Sequence, residues 1–517
     1  MEGVQGESVP RTPCRGFAVL QGGKHEQRGE SLSGQDEQEE SKSEGQRLAD
    51  KLFLSKKNSW ETIAPEELER IAAFAEDYKN FLDRGKTERE CIAFILESLL
   101  ARAFQNLEAA IQNKEILKPG SLFYINNRGK SLAFGILGTA PLSEGLTIIG
   151  GHVDSPRIDL KTNPLYEDAD LAYLDTHYYG GLKHYQWTTI PLALHGVIIG
   201  EDGIAQDIAI GEGASDPVFT ITDLLPHLAR DQMQKKVADF LTGEDLNVLA
   251  GSLPYRDKSV KDKVKLGILN LLHEQYGMVE QDFAASELEL VPAFKARDLG
   301  FDRSMIGAYG QDDRSCVFAA FSALVDFAAS GVPEKTALCI LTDKEEVGSA
   351  GNTGAQSWFF EQCIAYLLEN AGNAYSPSLL HRCLSSSSML SGDVNAAFDP
   401  NFDSLYDRKT ASFLSKGLVI TKYTGSGGKV GGSDANGEYC ARIQRILDKN
   451  NIPWQFGAIG KVDKGGGGTI AKFIANLGVE VLDCGIPVLS MHSPFEVISK
   501  IDLYTAYQGF LAFYREA

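Results

Sequence analysis

Apolar residues begin to recur at helical spacing soon after residue 60. Leu68, Ile71, Ala75, Tyr78 and Leu82 share one face of a segment that opens with Pro65 in its first turn. Thr87 and Glu90 form a capping-box pair ahead of Ile92, Ile95 and Leu99, which predicts a second helix. The pattern then turns strand-like over 121–125 and 131–136, around an Asn-Asn-Arg-Gly turn, and again over 146–149, which runs on to His152. From residue 316 onward a helical run (316–330) gives way to strand-like runs at 337–341, 418–422, 454–459 and 479–484, with helical segments between them. This alternation predicts an α/β fold with a mostly parallel sheet flanked by helices.

Residues 161–301 have a different texture. Tyr173, Tyr178, Tyr179, Tyr185 and Trp187 stand among short strand-like runs such as 196–199, and a Lys/Asp helix falls near 257–275. We read this stretch as an inserted β-rich domain, with 51–160 and 302–517 forming one domain around it. Residues 1–50 are rich in Gly, Ser, Gln and Glu and read as a disordered tail that buries too little surface to order itself. No internal repeat is evident. At 517 residues the chain exceeds one ordinary core, in keeping with two domains.

Charge and composition narrow the function. A net charge of -20 disfavours nucleic acid and anionic membranes as partners. Neither a secretory h-region nor an apolar run of about 18 residues is present, so the expected address is cytoplasmic. Eight cysteines lie scattered with no Cys-x-x-Cys pair, and several sit in apolar contexts, which predicts buried, reduced thiols.

The chemistry lies in five segments: Gly150-Gly-His152-Val-Asp154-Ser-Pro156, Gln311-Asp312-Asp313-Arg314, Asp343-Lys-Glu345-Glu346-Val-Gly348, Ser391-Gly-Asp393 and Met491-His492-Ser-Pro494. Together they hold imidazoles and carboxylates suited to two zinc-like ions about 3.5–4 Å apart. His152 and Asp154 project from one face of an extended chain, so the carboxylate can orient the imidazole. The adjacent Glu345 and Glu346 follow an apolar strand and precede a Gly-containing loop; one can bind metal while the other takes a proton from the metal-bound water. Asp312 suits a bridge between two ions, whereas Asp313 suits a helix cap. Asp393 and His492 would each complete one ion's coordination. The Gly425–Val430 run fails the phosphate-loop pattern, and the Gly465–Thr469 run, including Gly467, Gly468 and Thr469, could admit a substrate backbone closely.

In this order, with a long insertion between the first two, the five segments resemble the M18 metallopeptidases, the aspartyl aminopeptidase and vacuolar aminopeptidase I group. The resemblance runs from about residue 59 to the C-terminus. It implies a dinuclear zinc aminopeptidase with His152, Asp312 and Asp393 on one ion, and Asp312, Glu346 and His492 on the other. Glu345 looks like the general base and Asp154 like the orienting acid. It further implies dimers assembling into a tetrahedral dodecamer through the inserted domain, with His227, in Leu224-Leu-Pro-His227-Leu, lent to a neighbouring active site. Lys422 lines up with a substrate-contacting lysine. Asn395-Ala-Ala-Phe398-Asp399 lacks the histidines of the eukaryotic aspartyl branch, and the Gly465–Thr469 run resembles the bacterial-type branch, which leaves the preferred N-terminal residue open. Peptides are the expected substrates, with cobalt or manganese as alternatives to zinc. A deacylase or carboxypeptidase-like hydrolase and a non-catalytic self-assembling scaffold are the competing readings.

Overall fold

The structure, a computed structural model, describes residues 42–54, 57–200, 203–373 and 376–517. The helix Glu44–Leu52 belongs with residues 300–303 to one compact unit, and the remaining described residues from 57 onward form a second. That helix falls in the stretch expected to be disordered. Ser43 and Gln46 cap it reciprocally, and its Arg, Leu, Ala and Lys residues favour helix, so local propensity prevails over the composition of the tail here. Residues 1–41, the rest of that tail, lie outside the described residues.

In the second unit, helix Glu67–Arg84 buries Ile71, Ala75, Tyr78 and Leu82, and the Thr87–Glu90 capping box opens helix Glu88–Leu100. Strands Leu122–Asn127 and Ser131–Ile136 pair as a hairpin, with Arg128 and Gly129 at φ 60° and 68°, the left-handed values a tight hairpin turn requires. The hairpin flanks a nine-stranded sheet whose central strands are Ala337–Thr342, Thr147–His152, Ser388–Ser391 and Glu480–Gly485, in that order and parallel. Beyond them come Leu418–Thr421, antiparallel to its neighbour, and Trp454–Phe456.

Alternation along these strands serves two cores. Ile149, Cys339 and Leu341 pack on the face covered by helices Gln311–Ala329 and Lys500–Glu516, whereas Ile148, Leu338 and Ile340 pack on the face covered by Phe359–Asn370 and Pro377–Ser385. Burial on both faces explains why these strands read as continuous apolar runs.

Residues 157–292 supply an antiparallel seven-stranded sheet with its own core around Ile158, Trp187, Leu194, Leu246 and Leu290. Its strand Arg157–Asp168 starts three residues after Asp154, slightly ahead of the boundary drawn at 161. A third sheet was not foreseen. It joins Arg297–Leu299, Met305–Ala308, Glu496–Ser499, Pro487–Leu489 and Asn395–Ala396, strands too short to declare a period. Cys91, Cys316, Cys339, Cys363, Cys383, Cys440 and Cys484 are buried free thiols, while Cys14 falls outside the described residues. Among the described residues no helix is long and apolar enough to cross a membrane.

Candidate metal centre

Three parallel central strands end on one edge of the main sheet, the edge where open α/β sheets gather their ligands. His152 closes the first, Asp343 to Glu346 follow the second, and Asp393 follows the third. The five-stranded sheet delivers the remaining groups. Asp312 lies just after its strand Met305–Ala308, and His492 sits in the turn between Pro487–Leu489 and Glu496–Ser499. Asp312 and Asp313 begin helix Gln311–Ala329 with non-helical backbone angles, which turns both carboxylates toward the sheet edge.

Asp312 is the meeting point. Its Oδ1 lies 3.3 Å from His152 Nε2 and its Oδ2 lies 3.3 Å from His492 Nε2. The same His492 nitrogen is 3.3 Å from Glu346 Oε2. One ligand atom each from His152, Asp312 and Glu346 falls within 4.8 Å of the others, as does one each from Asp312, Asp313 and Asp393. Asp313 does not take the capping role expected of it, since the helix begins with no side-chain cap; its Oδ2 instead accepts the backbone N–H of His152 at 3.3 Å.

Asp154 holds the neighbourhood together. The His152 Nδ1 is 3.4 Å from its Oδ1, and 3.0 Å from its backbone carbonyl. The N–H groups of Glu345 and Glu346 donate to Oδ1 and Oδ2, each at 3.1 Å, so one buried carboxylate fixes the turn that carries both glutamates. Lys344 enters this turn at φ 68° and Gly348 leaves it at φ 94°. Glu346 then reaches His492, while Glu345 stands half-buried beside it.

The electrostatics record crowded carboxylates. Burial raises Glu345 to about 7, the charges of Asp154 and Asp312 adding to it. Glu346, Asp313 and Asp393 are raised as well, chiefly by burial. Burial alone would raise Asp312, but the two imidazoles outweigh it and hold this carboxyl well below its ordinary range. Burial would lower His492, yet its hydrogen bond to Asp312 and the charges of Glu346 and Asp312 lift it to about 10.

The other expected residues stand apart from this cluster. His227 is exposed in the loop after strand Thr220–Ile221, and among the described residues no hydrogen bond or ion pair ties it to the centre. Lys422 Nζ is engaged by Asp434 Oδ1 at 2.9 Å and by the Ala435 carbonyl at 3.0 Å. Gly467 pairs with Gly425 across a two-stranded ribbon and helps line a cavity of 160 Å³ together with Tyr423, Lys429 and Lys461. Beside it a Cβ on Gly468 would lie 2.8 Å from the Gly431 carbonyl, and Thr469 donates to Asp483 Oδ1 at 2.7 Å.

A family model described as "Aminopeptidase I zinc metalloprotease (M18)" matches residues 81–514. The chain belongs to the M18 aminopeptidase family. It is 48% identical over 462 residues to "Probable M18 family aminopeptidase 1" of Clostridium acetobutylicum, covering 89% of this chain and 98% of that one. The crystal structure of an M18 aminopeptidase from Thermotoga maritima superposes with a TM-score of 0.85 at 42% identity, covering 90% of this chain and 100% of the other. The mApe1 dodecamer of S. cerevisiae, at 23% identity and TM-score 0.70 over 85% of this chain and 95% of that one, shares the fold.

Several groups at the centre of this M18 aminopeptidase carry no local sequence signal. Glu496 accepts the Asp312 N–H at 3.0 Å through Oε2 and the His492 N–H at 2.7 Å through Oε1, pinning two of the expected ligands with one buried side chain. Burial and the Asp312 charge push it up to about 8. The Gly181 carbonyl receives the His492 Nδ1–H at 3.0 Å, and Tyr179 donates its hydroxyl to Asp154 Oδ2 at 2.9 Å. Tyr179 ends a strand of the seven-stranded sheet and Gly181 follows two residues later, 311 residues from His492.

Proposed function

We propose that this M18 aminopeptidase is a dinuclear zinc enzyme that removes single N-terminal residues from peptides in the cytoplasm. One observation carries the reading: both oxygens of the Asp312 carboxylate face an imidazole Nε2 at 3.3 Å, the arrangement a bridging carboxylate takes between two ions. His152, Asp312 and Asp393 would hold one ion, and Asp312, Glu346 and His492 the other.

The residues fit such ions. Glu346 Oε1 and Asp313 Oδ1 are buried with no hydrogen-bond partner among the described residues, a costly state for carboxylate oxygens unless a cation meets them. Nitrogen and oxygen donors of this kind suit zinc and also accept cobalt or manganese. When bound, the ions would polarise the scissile carbonyl and acidify an attacking water.

This chain's own residues then divide the work. Glu345, raised to about 7 beside the cluster, takes the proton of the attacking water and returns it to the leaving amine. Asp154 orients His152 and holds the Glu345–Glu346 turn in register. Thr469 and the glycines Gly467 and Gly468 would let the peptide backbone approach, with Lys422 as a further substrate contact. Removing metal with a chelator should abolish peptide hydrolysis, and added zinc should restore it; hydrolysis that survives complete demetallation would refute the metal-dependent reading. Free-amine and N-acetylated peptides separate aminopeptidase from deacylase action, since only the former requires the amine.

The proposal extends to assembly. We take residues 161–301 as an inserted dimerisation domain, through which dimers build a tetrahedral dodecamer, as the dodecamer of the S. cerevisiae relative suggests. Leu224, Leu225 and Leu228, at 50%, 49% and 69% exposed, surround His227 and support an interface at this loop. There His227 would reach a neighbour's active site and steady the tetrahedral intermediate. His227→Phe should therefore lower kcat by about 10²-fold or more while leaving zinc content intact. Unchanged kinetics in the assembled protein would remove His227 from the mechanism.

A further inference from the structure

The strand Leu171–Tyr179 of the seven-stranded sheet ends inside the centre, and its last residue is built into place from behind. Tyr179 and Arg157 are direct cross-strand partners, and the Arg157 guanidinium lies 4.1 Å from the centroid of the tyrosine ring. Arg157 is itself buried and held on three sides, by Glu88 at 3.2 Å, Asp159 at 2.8 Å and Glu289 at 3.0 Å. A guanidinium so enclosed keeps little rotational freedom, so the ring packed on it is fixed too. The hydroxyl at the far end of that ring donates to Asp154 Oδ2 at 2.9 Å.

Asp154 is fully buried, and among the described residues its other partners belong to the site: His152 and the N–H groups of Glu345 and Glu346. Of these contacts only the tyrosine comes from outside the chain segments that carry the centre. We infer that Tyr179 is a positioning residue of the reaction, acting through Asp154 on the His152 imidazole and on the Glu345–Glu346 turn. The chain continues from Tyr179 through Gly180, at φ 75°, to Gly181, whose carbonyl receives the Nδ1–H of His492. A Cβ on Gly181 would lie only 3.2 Å from that nitrogen, so the backbone can come this close because the residue is glycine. One strand end thereby touches both imidazoles, one directly and one through Asp154. The seven-stranded sheet is part of the centre's support, in addition to any role in assembly.

This inference rests on the dinuclear reading above, and the experiment keeps the two apart. Full-length protein carrying Tyr179→Phe is compared with the parent, with Asp154→Asn and with the double variant, by peptide kinetics and by zinc affinity in chelator competition. Tyr179→Phe is expected to reduce kcat or zinc affinity about 10–100-fold with KM nearly unchanged, the usual cost of losing a group that orients a metal ligand. In the Asp154→Asn background the same change should add little, because its effect passes through Asp154. A Tyr179→Phe protein within twofold of the parent in both measurements, or equal losses in both backgrounds, overturns the inference while leaving the metal reading intact. A parent that binds no zinc overturns both.

Discussion

Glu345→Gln should lower kcat by about 10²–10⁴-fold while zinc content, assembly and thermal stability stay near those of the parent protein. The substitution keeps the size of the side chain and removes only its ability to accept a proton. Among the described residues the Glu345 side chain makes no hydrogen bond or ion pair; its turn is held by backbone N–H groups donating to Asp154, and those survive the change. Its neighbour Glu346 is the one that reaches His492, so the proposed metal ligands would remain in place. Steady-state kinetics beside metal analysis on the same preparation checks this, and turnover close to that of the parent would remove Glu345 from the role of base.

Asp312→Ala is expected to be more damaging and in a different way. One carboxylate faces both imidazoles, so on the proposed dinuclear reading its loss would take a ligand from each ion at once. Zinc affinity should fall by more than the about 10–100-fold typical of losing a group that only supports a ligand, and hydrolysis should fall with it. Glu346→Ala, which touches one imidazole, should weaken one ion and spare the other. Metal titration of the two variants distinguishes them; equal loss of a single ion from both would show that Asp312 does not bridge.

The parts of this centre that were legible in the sequence are those with a local period or a strand boundary. His152 and Asp154 stand out because residues two apart share a face, and Glu345-Glu346 because an apolar strand runs straight into them. The parallel sheet was legible for the same reason: strands buried on both faces read as unbroken apolar runs. What stayed hidden is held by pairing between distant segments. The five-stranded sheet consists of strands of two to four residues, too short for any alternation, yet it sets the spacing of Asp312, Asp393 and His492. Glu496 and Tyr179 look like any polar residue of a strand until the fold brings them beneath Asp312 and Asp154. The helix Glu44–Leu52 was missed for the opposite reason: a capping box and good helix formers lay within a segment whose overall composition reads as disordered.

On the dinuclear reading Asp312 would serve two ions, one held with His152 and Asp393 and the other with Glu346 and His492. Anomalous diffraction at the zinc absorption edge, from crystals of the zinc-loaded protein, tests it most directly. Two peaks flanking the Asp312 carboxylate, about 3.5–4 Å apart, are predicted. A single peak, or a pair in which Asp312 contacts only one ion, would refute the dinuclear assignment.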